Sequence, residues 1–206
     1  IKRTYNPGIT LNGVGNRATH NLICHVPHMA MGFTGNEQLI EYNEIYDACY
    51  ESNDAGAIYA GANWTMRGNI IRYNYLHDIS GFEGKGCVGI YLDDIFSSAS
   101  IEGNVFKSVA MPAMIGGGRD NRIVNNIFIN CSPSVHVDAR GLGLRGDTFR
   151  EWLKEAVEKG TISCRDIPIA FSKPPYSTRY PQLLNFLNDE PKAPKGNVIS
   201  NNICVG

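Results

Sequence analysis

The sequence predicts an all-β fold, a right-handed parallel β-helix (solenoid) with a small helical insertion. Three observations lead there: a recurring Asn-centred motif, the length of the steps between its copies, and a second register of strand-like segments falling between them. The motif apolar-x-x-Asn-x-apolar occurs at Ala18-Thr19-His20-Asn21-Leu22-Ile23, Ile40 to Ile45, Ile71 to Leu76, Ile101 to Phe106, Ile123 to Phe128 and Ile199 to Cys204. Its central residues are Asn21, Asn43, Asn74, Asn104, Asn126 and Asn202. Steps of about 22 to 31 residues suit one coil of short strands and loops, and neither a leucine-rich framework nor a helical period accompanies them.

Each copy brackets its Asn with two short strand-like pieces. Asn tolerates the left-handed backbone of a sharp corner, and its amide both donates to and accepts from a copy of itself one rung away. Coils spaced about 4.8 Å apart would therefore stack these side chains into a ladder, with the aliphatic positions forming internal columns.

The second register is Gly32-Phe33-Thr34-Gly35, Ala57 to Gly61, Gly89 to Asp93 and Met114 to Gly117. With Ile58, Ile90 and Leu92 inward, alternation sends Tyr59, Tyr91 and Asp93 to one outer face. Aligned by motif, Asp93 lies between Gly61 and Gly117 with Gly35 one coil beyond, so a carboxylate stands in a shallow trough beside two tyrosine rings.

The period fails between about Val137 and Lys195, which reads as an insertion over residues 138–195. Asp147 can cap a helix running to about Lys159, with Phe149, Trp152, Leu153, Ala156 and Val157 on one stripe and Gly160 as its stop. A second short helix is expected from Gln182 to Asn188. The stripe should bury against the coils, because an amphipathic helix is rarely stable alone.

Composition narrows the function classes. The chain has 206 residues, 43% hydrophobic and 19% charged, with a formal net charge of -1. That balance gives no basic footprint for nucleic acid or an anionic membrane, and no apolar run reaches the ~18 residues that span a bilayer. A neutral partner fits better. The sequence opens at Ile1 without Met and shows no secretion leader, and it reads as a piece of a longer solenoid. The six cysteines are singly placed without zinc-site spacing, and Cys24, Cys131 and Cys204 follow the repeat Asn as small apolar members of the stack.

Glycoside hydrolysis needs two carboxyl groups flanking one bond, about 5 to 9.5 Å apart. Asp54, Asp93 and Asp94 are the catalytic candidates, since each belongs to a segment like Gly-Ala-Ile-Tyr, Asp54 just ahead of Gly56-Ala57-Ile58-Tyr59 and the doublet just after Gly89-Ile90-Tyr91-Leu92. Along a straight strand Asp54 and Asp93 are offset by seven positions, and a turn at Ala55-Gly56 is required to bring them together. Tyr59, Tyr91, Arg119 and His136 are the substrate-binding candidates: rings for the apolar faces of sugars, a guanidinium for a hydroxyl or carboxylate, and an imidazole at the edge of the trough. His77, Asp120, Asp138 and Arg140 are further polar candidates. The run Gly116-Gly117-Gly118 lacks the strand-to-helix context of a phosphate loop.

Asp54-x-Gly-Ala-Ile-Tyr, Arg67-Gly-Asn-x-Ile-Arg-Tyr-Asn, Gly89-Ile-Tyr-Leu-Asp-Asp and Gly116-Gly-Gly-Arg-Asp-Asn together resemble bacterial pectate-lyase-like β-helix proteins, in particular the glycoside-hydrolase branch that includes α-L-fucosidases and xylanases. The resemblance covers about Gly15 to Arg140 and returns from Pro194 to Ile203. It implies a glycoside hydrolase without cofactor or metal, acting on plant-type poly- or oligosaccharides with Asp54 and one of Asp93 and Asp94, and it implies export to the periplasm or cell exterior. Two alternatives stay open. A polysaccharide lyase of the same fold would use Lys85, Arg119 or Arg140 as base and bind Ca²⁺ through clustered acids; a non-catalytic carbohydrate-binding solenoid would need the tyrosine column alone.

Overall fold

The computed structural model describes residues 5–62, 64–143, 146–164 and 167–206. Three six-stranded sheets, all with parallel neighbours, wind around one core. Each coil contributes one strand to each sheet, as in Gly56–Gly61, Asn69–Arg72 and Tyr75–Ile79, followed by Val88–Asp93, Ala99–Glu102 and Val105–Val109. Sheet one runs Ile9–Leu11, Met31–Phe33, Gly56–Gly61, Val88–Asp93, Met111–Gly116 and Val135–Asp138.

Register keeps like beside like. Ala18, Ile40, Ile71, Ile101 and Ile123 form one column, all buried, which the exposed Ile199 continues. Ile23, Ile45, Leu76, Phe106, Phe128 and Cys204 form a second, in which the Phe106 and Phe128 rings stack with centroids 5.1 Å apart. Because the side-chain period is two, a slip of one residue would expose a whole column, so the aliphatic pattern fixes the register.

The Asn ladder forms as expected. Nδ2 of Asn21, Asn43, Asn74, Asn104 and Asn126 donates to Oδ1 of the next member, at 2.8 to 3.1 Å, ending on Asn202. The left-handed residue is not the Asn, however, but the one before it: His20, Tyr42, Tyr73, Gly103, Asn125 and Asn201 have φ between 55° and 64°. The corner thus divides two duties, backbone reversal at one position and amide bridging at the next. A second ladder lies outside the repeated motif, because it mixes residue types. Gln38 and Asn69 cap backbone N–H groups at the start of the sheet-two strands, and Asn121 and Asn197 do so further along.

The insertion departs from expectation in detail. The first helix, α1, spans Gly146–Lys159, and Asp147 pairs with Arg150 inside its first turn rather than standing ahead of it as a cap. Gly160 ends the helix at φ 66°. Phe149 and Ala156 are buried, Trp152 and Leu153 are half-buried, and Val157 is 72% exposed, so the apolar stripe is narrower than the sequence suggests. The expected second helix is a short α2 (Tyr176–Arg179) followed by two 3-10 turns, Pro181–Leu184 and Phe186–Asn188. An antiparallel hairpin, Ile162–Cys164 with Ile167–Ile169, completes the insertion.

These pieces enclose a second apolar cluster around Trp64 and Ile95, which the solenoid loops supply. Trp64 is fully buried, meets Trp152 edge-on at 6.2 Å and donates its indole N–H to the Pro191 carbonyl at 2.8 Å. The insertion is thereby anchored at the carboxyl edge of sheet one. Among the described side chains Cys24, Cys49, Cys87, Cys131 and Cys204 are free thiols. Cys24 stands beside Tyr46 on the outer side of sheet three, not in the internal stack.

Candidate active site at the carboxyl edge of sheet one

Parallel strands all end on the same side, so side chains from successive coils converge where sheet one gives way to its loops. Asp93 closes its strand in register with Gly61, and Leu92 pairs with Ile115, which sets Asp93 beside Gly116. Gly116 in turn pairs with Asp138. The trough is therefore Gly61, Asp93, Gly116 and Asp138, one position off the expected alignment with Gly117. On the other side, Gly32 pairs with Tyr59, so Thr34 rather than Gly35 continues the column.

Each glycine makes room for a specific group. A Cβ at Gly116 would fall 2.6 Å from Cζ of Arg140, and one at Gly61 would fall 2.6 Å from the Tyr59 hydroxyl. Arg140 lies past the end of its strand and folds back over Gly116. Its Nε and Nη2 donate to Asp138 at 3.0 and 2.6 Å, its Nη1 donates to Asp93 and, at 3.2 Å, to the Tyr91 hydroxyl. Asp94 Oδ1 lies 3.5 Å from the same Nη1.

The doublet would point to opposite faces on a continuous strand. Here the strand stops at Asp93, and Asp94 has φ 41°, which turns its carboxylate back to the shared guanidinium. Asp93 also accepts from the Tyr59 hydroxyl at 3.0 Å and from the Asp94 N–H at 2.8 Å. Three carboxylates thus share one cation.

The electrostatics follow from that packing. Burial works against charge on Asp138, but its hydrogen bonds from Arg140 prevail and hold the carboxyl below the usual range. Burial likewise opposes the Arg140 charge, and its bonds to Asp138 and Tyr91 overcome it, so the guanidinium is more firmly protonated than usual. The Tyr59 phenol is pushed up by burial and by the Asp93 charge, which keeps it a donor. Tyr91 is also raised, by burial first.

The other residues singled out in the sequence divide between places. Tyr59, Tyr91, Met114 and His136 form the adjacent outer column. Tyr91 does not offer an open ring face: it is 6% exposed, meets Tyr59 edge-on at 5.6 Å and lies under Arg140. Asp54 is not brought to the doublet. The strand from Gly56 to Gly61 runs without the required turn, so Asp54 precedes its amino end while Asp93 lies level with its carboxyl end. Five residue steps of about 3.3 Å separate those ends.

Arg119 is likewise elsewhere. Its guanidinium donates to Asp120 at 3.2 Å and to the carbonyl and carboxylate of Asp189, clipping the insertion to the solenoid. Lys85 pairs with Glu83 near Asp54. Asp138 and Arg140, which the sequence offered only as a polar alternation, complete the cluster; the discriminating signal was the glycine at 116, readable only once the register is known.

A solenoid of stacked parallel strands with an acidic cluster on its outer face defines this molecule as a parallel β-helix protein. It belongs to the right-handed β-helix family, whose model for the right handed beta helix region matches residues 7–151. No curated protein and no solved structure matches the chain significantly.

Proposed function

We infer that the protein is a carbohydrate-active enzyme that hydrolyses a glycosidic bond in plant-type poly- or oligosaccharides. The observation that carries this reading is the convergence of Asp93, Asp94 and Asp138 on Arg140 at one edge of an outward-facing sheet. In this mechanism Asp93 acts as nucleophile or base, held in place by hydrogen bonds from Arg140, Tyr59 and the Asp94 N–H. Asp94, turned to the same guanidinium by its left-handed backbone, supplies the second carboxyl group and acts as the acid. Asp138 is a positioning residue that holds the guanidinium in place.

The lyase alternative is less well supported. It needs an unprotonated base, whereas Arg140 is held protonated, Arg119 is committed to Asp189 and Lys85 to Glu83. Nor does the cluster suit the Ca²⁺ that such chemistry uses, because the three carboxylates converge on a guanidinium. Action on polysaccharide also agrees with a secreted or periplasmic location.

Asp93→Asn and Asp94→Asn should each lower kcat by about 10² to 10⁴ with little change in KM on a glycan that the wild type cleaves, because acid-base and nucleophilic contributions are made in the transition state. Wild-type turnover in both variants would refute the assignment. A wild type that binds glycans and cleaves none would favour the non-catalytic reading.

A further inference from the structure

A cavity of about 540 Å³ lies at the amino edge of sheet one, opposite the carboxylate cluster. Its floor is Val88, Met111 and Met114 with the Tyr91 side chain, and its rim carries Asn53, Asp54, Lys85 and Ser132. The floor comes from sheet one itself: Met111 pairs with Val88 and Met114 with Tyr91. The rim comes from the loops that enter three strands of that sheet, Gly56–Gly61, Val88–Asp93 and Val135–Asp138. Tyr91 is common to both places, since its hydroxyl meets Arg140 while its ring lines the cavity. Tyr91 therefore links the cavity to the cluster, and the strand from Val88 to Asp93 that carries it runs about 17 Å at 3.3 Å per residue.

We propose that this cavity is a subsite for the further units of a neutral oligosaccharide chain whose scissile bond lies at Asp93, and that Asp54 binds hydroxyls there. The inference rests on the hydrolase reading for the position of the bond, but not for the binding itself. A floor of methionines and one aromatic edge, rimmed by a carboxylate, an amide and a hydroxyl, matches a pyranose, which presents C–H faces and equatorial hydroxyls. Charge selects against uronic acids. Lys85 is paired with Glu83, leaving Asp54 as surplus negative charge on the rim, and the three carboxylates of the cluster outnumber Arg140. An anionic glycan would meet like charge at both ends of the path.

The test is calorimetric binding to an Asp93→Asn protein of neutral β-1,4-linked gluco-, xylo- and manno-oligosaccharides of two to six units, with oligogalacturonides of the same lengths. Affinity for one neutral series should rise at least tenfold from two units to six, and Asp54→Ala and Ala110→Trp, each added separately, should abolish most of that rise. Ala110 lines the cavity, so the indole fills it, and Asp54→Ala remains informative if the larger side chain impairs folding. The proposal is overturned if no neutral series gains affinity with length, if both variants keep the gain, or if the oligogalacturonides bind more tightly. A wild type that cleaves nothing, with a length dependence that still requires Asp54, would remove the hydrolase reading and leave the subsite standing.

Discussion

Replacing Asn104 by Leu tests the ladder where its consequences are largest. Asn104 is fully buried, and its Oδ1 accepts both the backbone N–H and the Nδ2 of Asn74, at 2.9 Å each. Its Nδ2 donates to the Ile71 carbonyl at 3.0 Å and to Asn126 Oδ1 at 3.1 Å. Leucine has the same branched outline, though bulkier, but leaves the Asn74 N–H without its acceptor and the Ile71 carbonyl without this donor. At about 1 to 3 kcal/mol for each orphaned buried group, and with partial relaxation, the cost should be about 2 to 5 kcal/mol. The ladder has a direction, every member donating toward the carboxyl end, and that supplies an internal control. At Asn21 the side chain donates to Asn43, but Asn43 Oδ1 keeps the Asn21 backbone N–H at 3.0 Å, so Asn21→Leu should cost under about 1 kcal/mol. Urea unfolding at equilibrium, with unchanged m-values, measures both. Equal costs at the two positions, or less than about 1 kcal/mol at Asn104, would refute a directional internal ladder.

Gly116→Ala should expel the Arg140 guanidinium, because the new methyl would overlap Cζ; loss of turnover with little change in thermal midpoint is expected, and a crystal structure with Arg140 still on Asp93 would contradict it. Trp64→Ala should destabilise by about 3 to 5 kcal/mol and the half-buried Trp152→Ala by less, read by chemical denaturation; the reverse order would mean that the insertion does not depend on its anchor in the coils. His28 is buried and its imidazole is held below its usual pKa, mainly by desolvation, with the Asp54 charge opposing. Its unfolded form therefore binds the proton more readily, so stability is full above about pH 6.5 and falls as pH drops below it. His28→Gln should flatten the stability profile between about pH 7 and 5, and an unaltered profile would exclude His28 as a source of acid sensitivity.

The solenoid was legible because its determinants are local and repeated. Six Asn frames and their aliphatic neighbours each make the same demand on one coil, and stacking satisfies all of them at once, so the ladder, the columns and the insertion between them follow from the one-dimensional pattern. The mixed Gln38, Asn69, Asn121 and Asn197 positions carry no such repetition and were invisible to it.

What the tertiary structure alone decided was which acidic residues meet. A single-residue shift of register exchanges Gly117 for Gly116 beside Asp93, and with it brings Asp138 and Arg140 into the cluster. The left-handed backbone at Asp94 turns the second carboxylate to the same side, and the straight run from Gly56 to Gly61 leaves Asp54 at the far edge. Arg119, near the doublet in the repeat alignment, is drawn to Asp189 because the insertion folds back across the coils. Spacing along the chain specifies the coil on which a residue lies. Its partners depend on register, on strand ends and on what packs against the edge, and those are properties of the whole stack.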